Sequence, residues 1–174
     1  MRKAGILSDA STVIYLAKAD ALHDAGALLG ALLVPPAVWR ETVESGERRG
    51  QLDQARIRSA RDQGLLHIVE LDPAAERRAI EIKRRRRIGL GESQVLAAAR
   101  KGSLVLMDDR RAARVAASMG ISPARTISLP VLCWRRGWMD SPGALQLLRR
   151  LSRVVGVRAD VLVRLEAEIL EGER

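Results

Sequence analysis

The 174-residue chain has no phenylalanine, one tyrosine, three tryptophans, one cysteine and two histidines. With so few aromatic rings, single-strand binding by base stacking on Phe or Tyr platforms is disfavoured. The core must come mostly from Leu, Val, Ile and Ala. The lone Cys133 excludes an internal disulfide and any multi-cysteine zinc site. It fits a reducing cytoplasm, which is the expected location. His23 and His67 are isolated, with no partner at ligand spacing. No apolar run approaches the roughly 18–20 residues that span a bilayer, so no membrane segment is expected. Residues 1–5 are basic, but the following stretch breaks at Asp9 and lacks the apolar length of a signal peptide. Gly89-Leu-Gly91 matches neither the P-loop nor the dinucleotide fingerprint. Only four lysines are present. That scarcity counts against a receiver-like or phosphatase-like domain, which pairs a phosphate-accepting Asp with a suitably placed Lys.

What the chain has in quantity is arginine, 26 residues among its 30 basic ones, and a net charge of +9. Such a surface attracts polyanions, whether RNA, DNA or an acidic protein. A GC-rich coding bias would produce the same arginine excess. Hydrophobic residues at 47% and charged residues at 29% are globular proportions. The length suits one domain, or one domain with a helical appendage.

Short apolar bursts alternate with helical patterns. Strands are expected at 4–8, 32–34, 65–71 and 103–107, with a fifth at 125–128. Helices are expected at 12–19, 21–29, 35–43, 51–63, from 72 into the basic run 83–87, at 92–101 and at 110–119. A turn is expected at 46–50. From Pro130 onward the chain reads as helical, with breaks at Gly137, Pro142 and Gly156. Continuous apolar strands separated by helices indicate an α/β domain with a mostly parallel sheet covered on both faces.

Parallel sheets bind ligands where their strands end, near the point at which strand order reverses. Asp9 follows the first strand, and Asp108 and Asp109 follow the fourth. Glu41 lies one to two turns into the helix after the second strand, and Glu92 opens the helix that feeds the fourth. Each also has a structural reading. Asp9, Asp108 and Asp109 are placed to cap helices, Glu92 favours a helix N-terminus, and Glu41 suits a solvated face. Taken together, acids recurring after strand ends match a site for a hard cation such as Mg²⁺ or Mn²⁺.

Four segments carry a family resemblance. Ile6-Leu-Ser-Asp9-Ala-Ser11-Thr-Val-Ile-Tyr-Leu-Ala-Lys18 resembles the opening of PIN-domain nucleases. Val34-Pro-Pro-Ala-Val-Trp-Arg-Glu41-Thr-Val43 is similar to their second motif. Gly89-Leu-Gly-Glu92-Ser-Gln-Val-Leu-Ala-Ala98 is similar to the third, with Glu where many members have Asp. Leu104-Val-Leu-Met-Asp108-Asp109-Arg-Arg-Ala-Ala-Arg-Val-Ala116 is similar to the fourth, and either acid of the pair matches the family position. The continuation from Leu129 through Gly137 resembles the prokaryotic branch related to VapC-type toxins.

The resemblance implies a PIN-like three-layer fold with a central, mostly parallel, five-stranded sheet. The nuclease domain is expected over 1–140, with a C-terminal helical extension over 141–174. It implies a Mg²⁺- or Mn²⁺-dependent endoribonuclease acting on RNA, the toxin of a toxin–antitoxin pair. A cognate antitoxin and a homodimer are the partners it implies. Asp9, Glu92 and Asp108 or Asp109 are then the metal ligands, and Glu41 is a ligand or a base. Ser11 either binds a metal water or caps its helix. Residues 83–87, with Arg84, Arg85, Arg86 and Arg87, and also Arg110 and Arg111, are candidates for substrate phosphates or a solvated face. The alternatives are a non-catalytic PIN-like binding module and a housekeeping nuclease acting on RNA or DNA.

Overall fold

A computed structural model describes residues 5–43 and 51–172. The turn expected at 46–50 lies outside the described residues. Five strands of three residues each form the sheet: β1 (Ile6–Ser8), β2 (Leu32–Val34), β3 (Leu66–Ile68), β4 (Leu104–Leu106) and β5 (Ser122–Ala124). Their order is β3-β2-β1-β4-β5 and every neighbouring pair is parallel. Parallel neighbours require crossover connections, and helices supply them. Between β1 and β2 run α1 (Ala10–Lys18) and α2 (Leu22–Leu29). Between β2 and β3 run α3 (Pro36–Val43) and α4 (Gln51–Asp62), and between β3 and β4 run α5 (Pro73–Arg86) and α6 (Leu90–Ala98). A single helix, α7 (Arg110–Ser118), joins β4 to β5. The chain is therefore an α/β protein with a parallel five-stranded sheet and helices around it, as the alternation of apolar bursts and helical segments implies.

Helix starts follow the local chemistry. Asp9, Asp72 and Asp109 each sit just before a helix and accept a hydrogen bond from a backbone N–H of its first turn. Pro36 and Pro73 lie at first helical positions, where a missing N–H costs nothing. Gly26 in α2 is a packing requirement. A Cβ there would lie 2.6 Å from the Leu65 Cβ and 3.0 Å from the Leu65 carbonyl oxygen, so only glycine lets α2 approach the start of β3.

Two expectations are corrected. The fifth strand is Ser122–Ala124, not 125–128. It carries Pro123 and no large apolar residue, so no hydrophobic run marks it. Proline is tolerated because β5 is an edge strand bonded only to β4. The apolar stretch that follows forms a 3-10 turn, Thr126–Ser128, and then α8 (Leu129–Arg135). Pro142 does not break a helix but opens one. It occupies the first turn of α9 (Ser141–Ser152), which Asp140 caps by accepting from the Gly143 N–H at 2.9 Å.

After α9 comes α10 (Ala159–Glu171). Leu147, Leu148 and Leu151 of α9 are buried within the same apolar cluster as Leu16, Leu32 and Leu106. Helix α10 lies against α8 and α9. Arg135 pairs with Glu168 at 2.6 Å, and Arg150 pairs with Asp24 of α2.

Candidate active site at the strand ends

The reversal of strand order falls at β1. One connection from it leads out to β2, and β4 lies on its other side. The carboxyl ends of β1 and β4 are thus adjacent, and an acid follows each. The Asp9 N–H donates to the Leu106 carbonyl at 3.0 Å, which holds the two strand ends in register. The Asp9 carboxylate then faces two backbone donors. Oδ1 accepts from the Thr12 N–H at 2.8 Å, and Oδ2 accepts from the Asp108 N–H at 3.0 Å. Asp9 is 2% exposed. Burial raises its pKa from 3.8 to about 6, and the Asp108 charge adds to the rise. Hydrogen bonds from Thr12 and Asp108 offset part of it.

Asp108 is held from the 3-10 turn after β5 and from α1. Its Oδ1 accepts from the Thr126 N–H at 3.3 Å. Its Oδ2 accepts a very short bond from the Thr126 hydroxyl and faces the Thr12 hydroxyl at 3.4 Å. The two threonine hydroxyls are 3.0 Å apart. Arg125 places Nε 3.6 Å from Asp108 Oδ1. Asp109 is placed differently. It is exposed, and its Oδ1 caps α7 by accepting from the Ala112 N–H at 2.7 Å. Ser11 is half-buried in α1, and the capping role at this helix belongs to Asp9.

Glu41 and Glu92 form a second pair. The buried Gln94 side chain accepts from the Ala37 N–H at 2.8 Å, tying α6 to the first turn of α3 where β2 ends. This brings the Gly89–Gly91 segment under α3. Glu41 lies at the surface with its carboxyl turned in over Gly91. A Cβ on Gly91 would sit 2.9 Å from Glu41 Oε2 and 3.0 Å from Oε1. Glu92 folds back over Gly89 in the same way. The two glycines make room for two carboxylates. Partial burial and the Glu92 charge raise the Glu41 pKa, while the Gly91 N–H and Arg40 act against the rise.

Among the described residues no group of three or more His, Cys, Asp or Glu is close enough to hold one metal ion. The five acids singled out in the sequence therefore resolve into a buried pair, Asp9 and Asp108, a second pair, Glu41 and Glu92, and a helix cap, Asp109. The basic residues lie outside these pairs. Residues 83–87, Arg110 and Arg111 are all exposed. Arg85 pairs with Glu81 at 2.7 Å, and Arg111 Nη1 donates to the Arg87 carbonyl at 3.2 Å, joining α7 to the basic run.

A family model described as PIN domain matches residues 5–167. The chain belongs to the PIN-domain family. PIN domains are generally nucleases, so at that level the chain stands with the hydrolases. Comparison with curated proteins and with solved structures returns no match.

In this PIN domain the sequence reading passed over Thr12, Thr126, Arg125 and Gln94. Thr12 lies within the Ile6–Lys18 segment, and its hydroxyl is the signal it carries. Thr126 and Arg125 carry none, because they lie 18 and 17 positions beyond Asp108 and meet it only through the β4–β5 pairing. PIN domains typically use divalent metals, and the donors here suit one. The side-chain atoms set against the pair among the described residues are the Thr12 and Thr126 hydroxyl oxygens and the Arg125 Nε. Mg²⁺ takes such hard donors, and one or two carboxylates are enough for it because it keeps several waters. Each oxygen of the Asp9 carboxylate accepts one of the hydrogen bonds described and has a second lone pair, whereas Asp108 Oδ2 already faces two hydroxyls.

Proposed function

We propose that this PIN domain is a Mg²⁺- or Mn²⁺-dependent endoribonuclease. The observation that carries the reading is the contact between Asp9 and Asp108 at the point where strand order reverses. Two neighbouring carboxylates, with the Asp108 N–H on Asp9 Oδ2 and the Asp9 pKa raised to about 6, form an anionic site that a cation relieves. Asp9 and Asp108 would hold the ion, with Glu92 reaching it through water and Asp109 kept as a cap. When bound, the ion supplies charge neutralisation and a more acidic water.

Hydrolysis of a phosphodiester forms a bond from water oxygen to phosphorus, breaks one P–O ester bond and releases a proton. Glu41 suits the acceptor of that proton, because burial and Glu92 both favour its protonated form. Thr12 and Thr126 orient Asp108. Residues 83–87 with Arg110 and Arg111 would hold backbone phosphates away from the reacting centre.

The toxin role, the antitoxin partner, the homodimer and the cytoplasmic location rest on the resemblance to VapC-type proteins. No helix among the described residues is long and apolar enough to cross a membrane. The separation of the acids into two pairs favours the second reading, a PIN-like module that binds RNA or protein without cutting.

Cleavage of a mixed RNA panel by purified protein, with Mg²⁺, with Mn²⁺ and with EDTA, separates the two. Asp9→Asn runs alongside. Metal-dependent cleavage that is lost in the variant supports the nuclease. Absence of both cleavage and metal binding supports the binding module. Growth arrest on expression, relieved by a neighbouring gene product, would support the toxin role.

A further inference from the structure

Among the described residues Arg125 is the cation within ion-pair distance of Asp108. It follows β5 directly and leads the 3-10 turn that carries Thr126. Its Nε is buried and has no hydrogen-bond partner, although the side chain as a whole is 41% exposed. The inner part of the guanidinium is thus enclosed, and the rest reaches solvent at the edge of the site.

The nearest acceptor, Asp108 Oδ1, is 3.6 Å away, beyond hydrogen-bond distance. Asp108 is already served by the Thr126 N–H and by hydroxyls from Thr126 and Thr12. An arginine whose purpose was to neutralise Asp108 would close on it with two parallel N–H bonds. This one stands off. A buried N–H with no acceptor is costly, so the position is retained at a penalty unless an acceptor arrives. The guanidinium fork matches the paired oxygens of a phosphate.

We propose that Arg125 is a substrate-binding residue that contacts the non-bridging oxygens of the phosphate lying against Asp108. The inference rests on the nuclease reading and adds a residue to it. Two roles follow from one geometry. With no substrate, the guanidinium partly balances Asp108. With a phosphodiester in place, its unsatisfied donors turn to the phosphate, where negative charge grows as water adds to phosphorus.

The test compares wild-type protein with Arg125→Ala and Arg125→Lys by single-turnover RNA cleavage in Mn²⁺, by Mn²⁺ binding alone and by thermal unfolding. Cleavage by Arg125→Ala should fall about 100-fold, the loss typical of removing one donor to a developing oxyanion. Mn²⁺ affinity should be kept or improved, since a cation beside Asp108 is gone, and the unfolding temperature should hold. Arg125→Lys should recover only part of the rate, because an ammonium keeps the charge without the fork.

Cleavage by Arg125→Ala at the wild-type rate overturns the proposal and leaves the nuclease intact. Parallel loss of Mn²⁺ binding and cleavage, both restored in full by Lys, also overturns it, because Arg125 would then only position Asp108. If the wild-type protein cuts no RNA, the nuclease reading fails, and binding of inorganic phosphate in Mn²⁺ decides on Arg125. Phosphate binding that is lost in Arg125→Ala supports the contact. Equal binding, or none, in both proteins overturns it.

Discussion

The charge buried at Asp9 has a consequence for stability that is measurable without any substrate. Its pKa is raised from 3.8 to about 6 in the folded chain, chiefly by burial. Between about pH 4 and about pH 6 the folded chain therefore keeps a proton that the unfolded chain has released. Stability falls as pH rises wherever the folded state binds more protons. The cost is absent below about pH 4 and complete above about pH 6. A displacement of this size corresponds to about 3 kcal/mol at 1.36 kcal/mol per pH unit. Asp9 is almost fully buried, so solvent screening takes little from that figure.

Asp9→Asn isolates the effect. The amide is neutral at every pH and its Oδ1 still caps α1 through Thr12. Its NH₂ would face the Asp108 N–H, donor against donor, which costs about 1–3 kcal/mol independent of pH. The informative quantity is therefore the change with pH of the difference between the two proteins. In EDTA, urea unfolding should show wild-type losing about 3 kcal/mol relative to the variant between about pH 4 and pH 7. In thermal unfolding this is about 6–12 °C for a chain of this size. Glu41 is shifted in the same direction but is common to both proteins and cancels. Mn²⁺ at about 100 times its dissociation constant should return about 2.7 kcal/mol to the wild-type protein near pH 7. It should return far less at pH 4, where protons occupy the acid, or to the variant. A pH-independent difference, constant within about 1 kcal/mol, would refute the buried-charge argument.

Two further predictions concern the surroundings of the site. Reversing Arg84 and Arg86, which are exposed and lack the Glu81 pairing of Arg85, should weaken RNA binding and flatten its salt dependence. Loss of two phosphate contacts lowers the slope by about 1.5. Mn²⁺ affinity should not change, and an unaltered slope would remove this run from the RNA interface. Gln94→Ala strips the buried Ala37 N–H of its acceptor and should cost about 1–3 kcal/mol in urea unfolding, whereas Gln94→Glu keeps an acceptor oxygen. A loss by Gln94→Ala within about 0.5 kcal/mol, the level of an ordinary surface change, would show that the α3–α6 link is not structural.

Much of the fold was legible because its signals are local. Short apolar bursts flanked by glycines and by acids or prolines marked β1, β2 and β4, and the Asp and Pro residues at helix starts act within one turn of themselves. The strand at 122–124 was not legible. Its pairing with β4 comes from position at the sheet edge rather than from hydrophobicity, and the apolar run after it drew the expectation downstream. Pro142 misled for a related reason. Proline ends a helix from inside but suits its first turn, and the choice depends on where Asp140 places the start.

The site divides along the same line. The acids at 9, 41, 92, 108 and 109 were visible as a pattern of carboxylates near strand ends and helix starts. Asp108 and Asp109 could not be told apart, since adjacent residues point to different sides of an extended chain. Only the β1–β4 pairing sets the Asp108 N–H against Asp9 and leaves Asp109 to cap α7. The grouping of the acids into two pairs, and the arrival of Thr126 and Arg125 at Asp108, belong to the tertiary structure alone. By itself the sequence determined the elements, their caps and the supply of carboxylates and arginines, because those depend on neighbours a few residues apart. The folded chain decided which of them meet, because the contacts at the site span up to 114 positions and exist only once the sheet has brought its strands side by side.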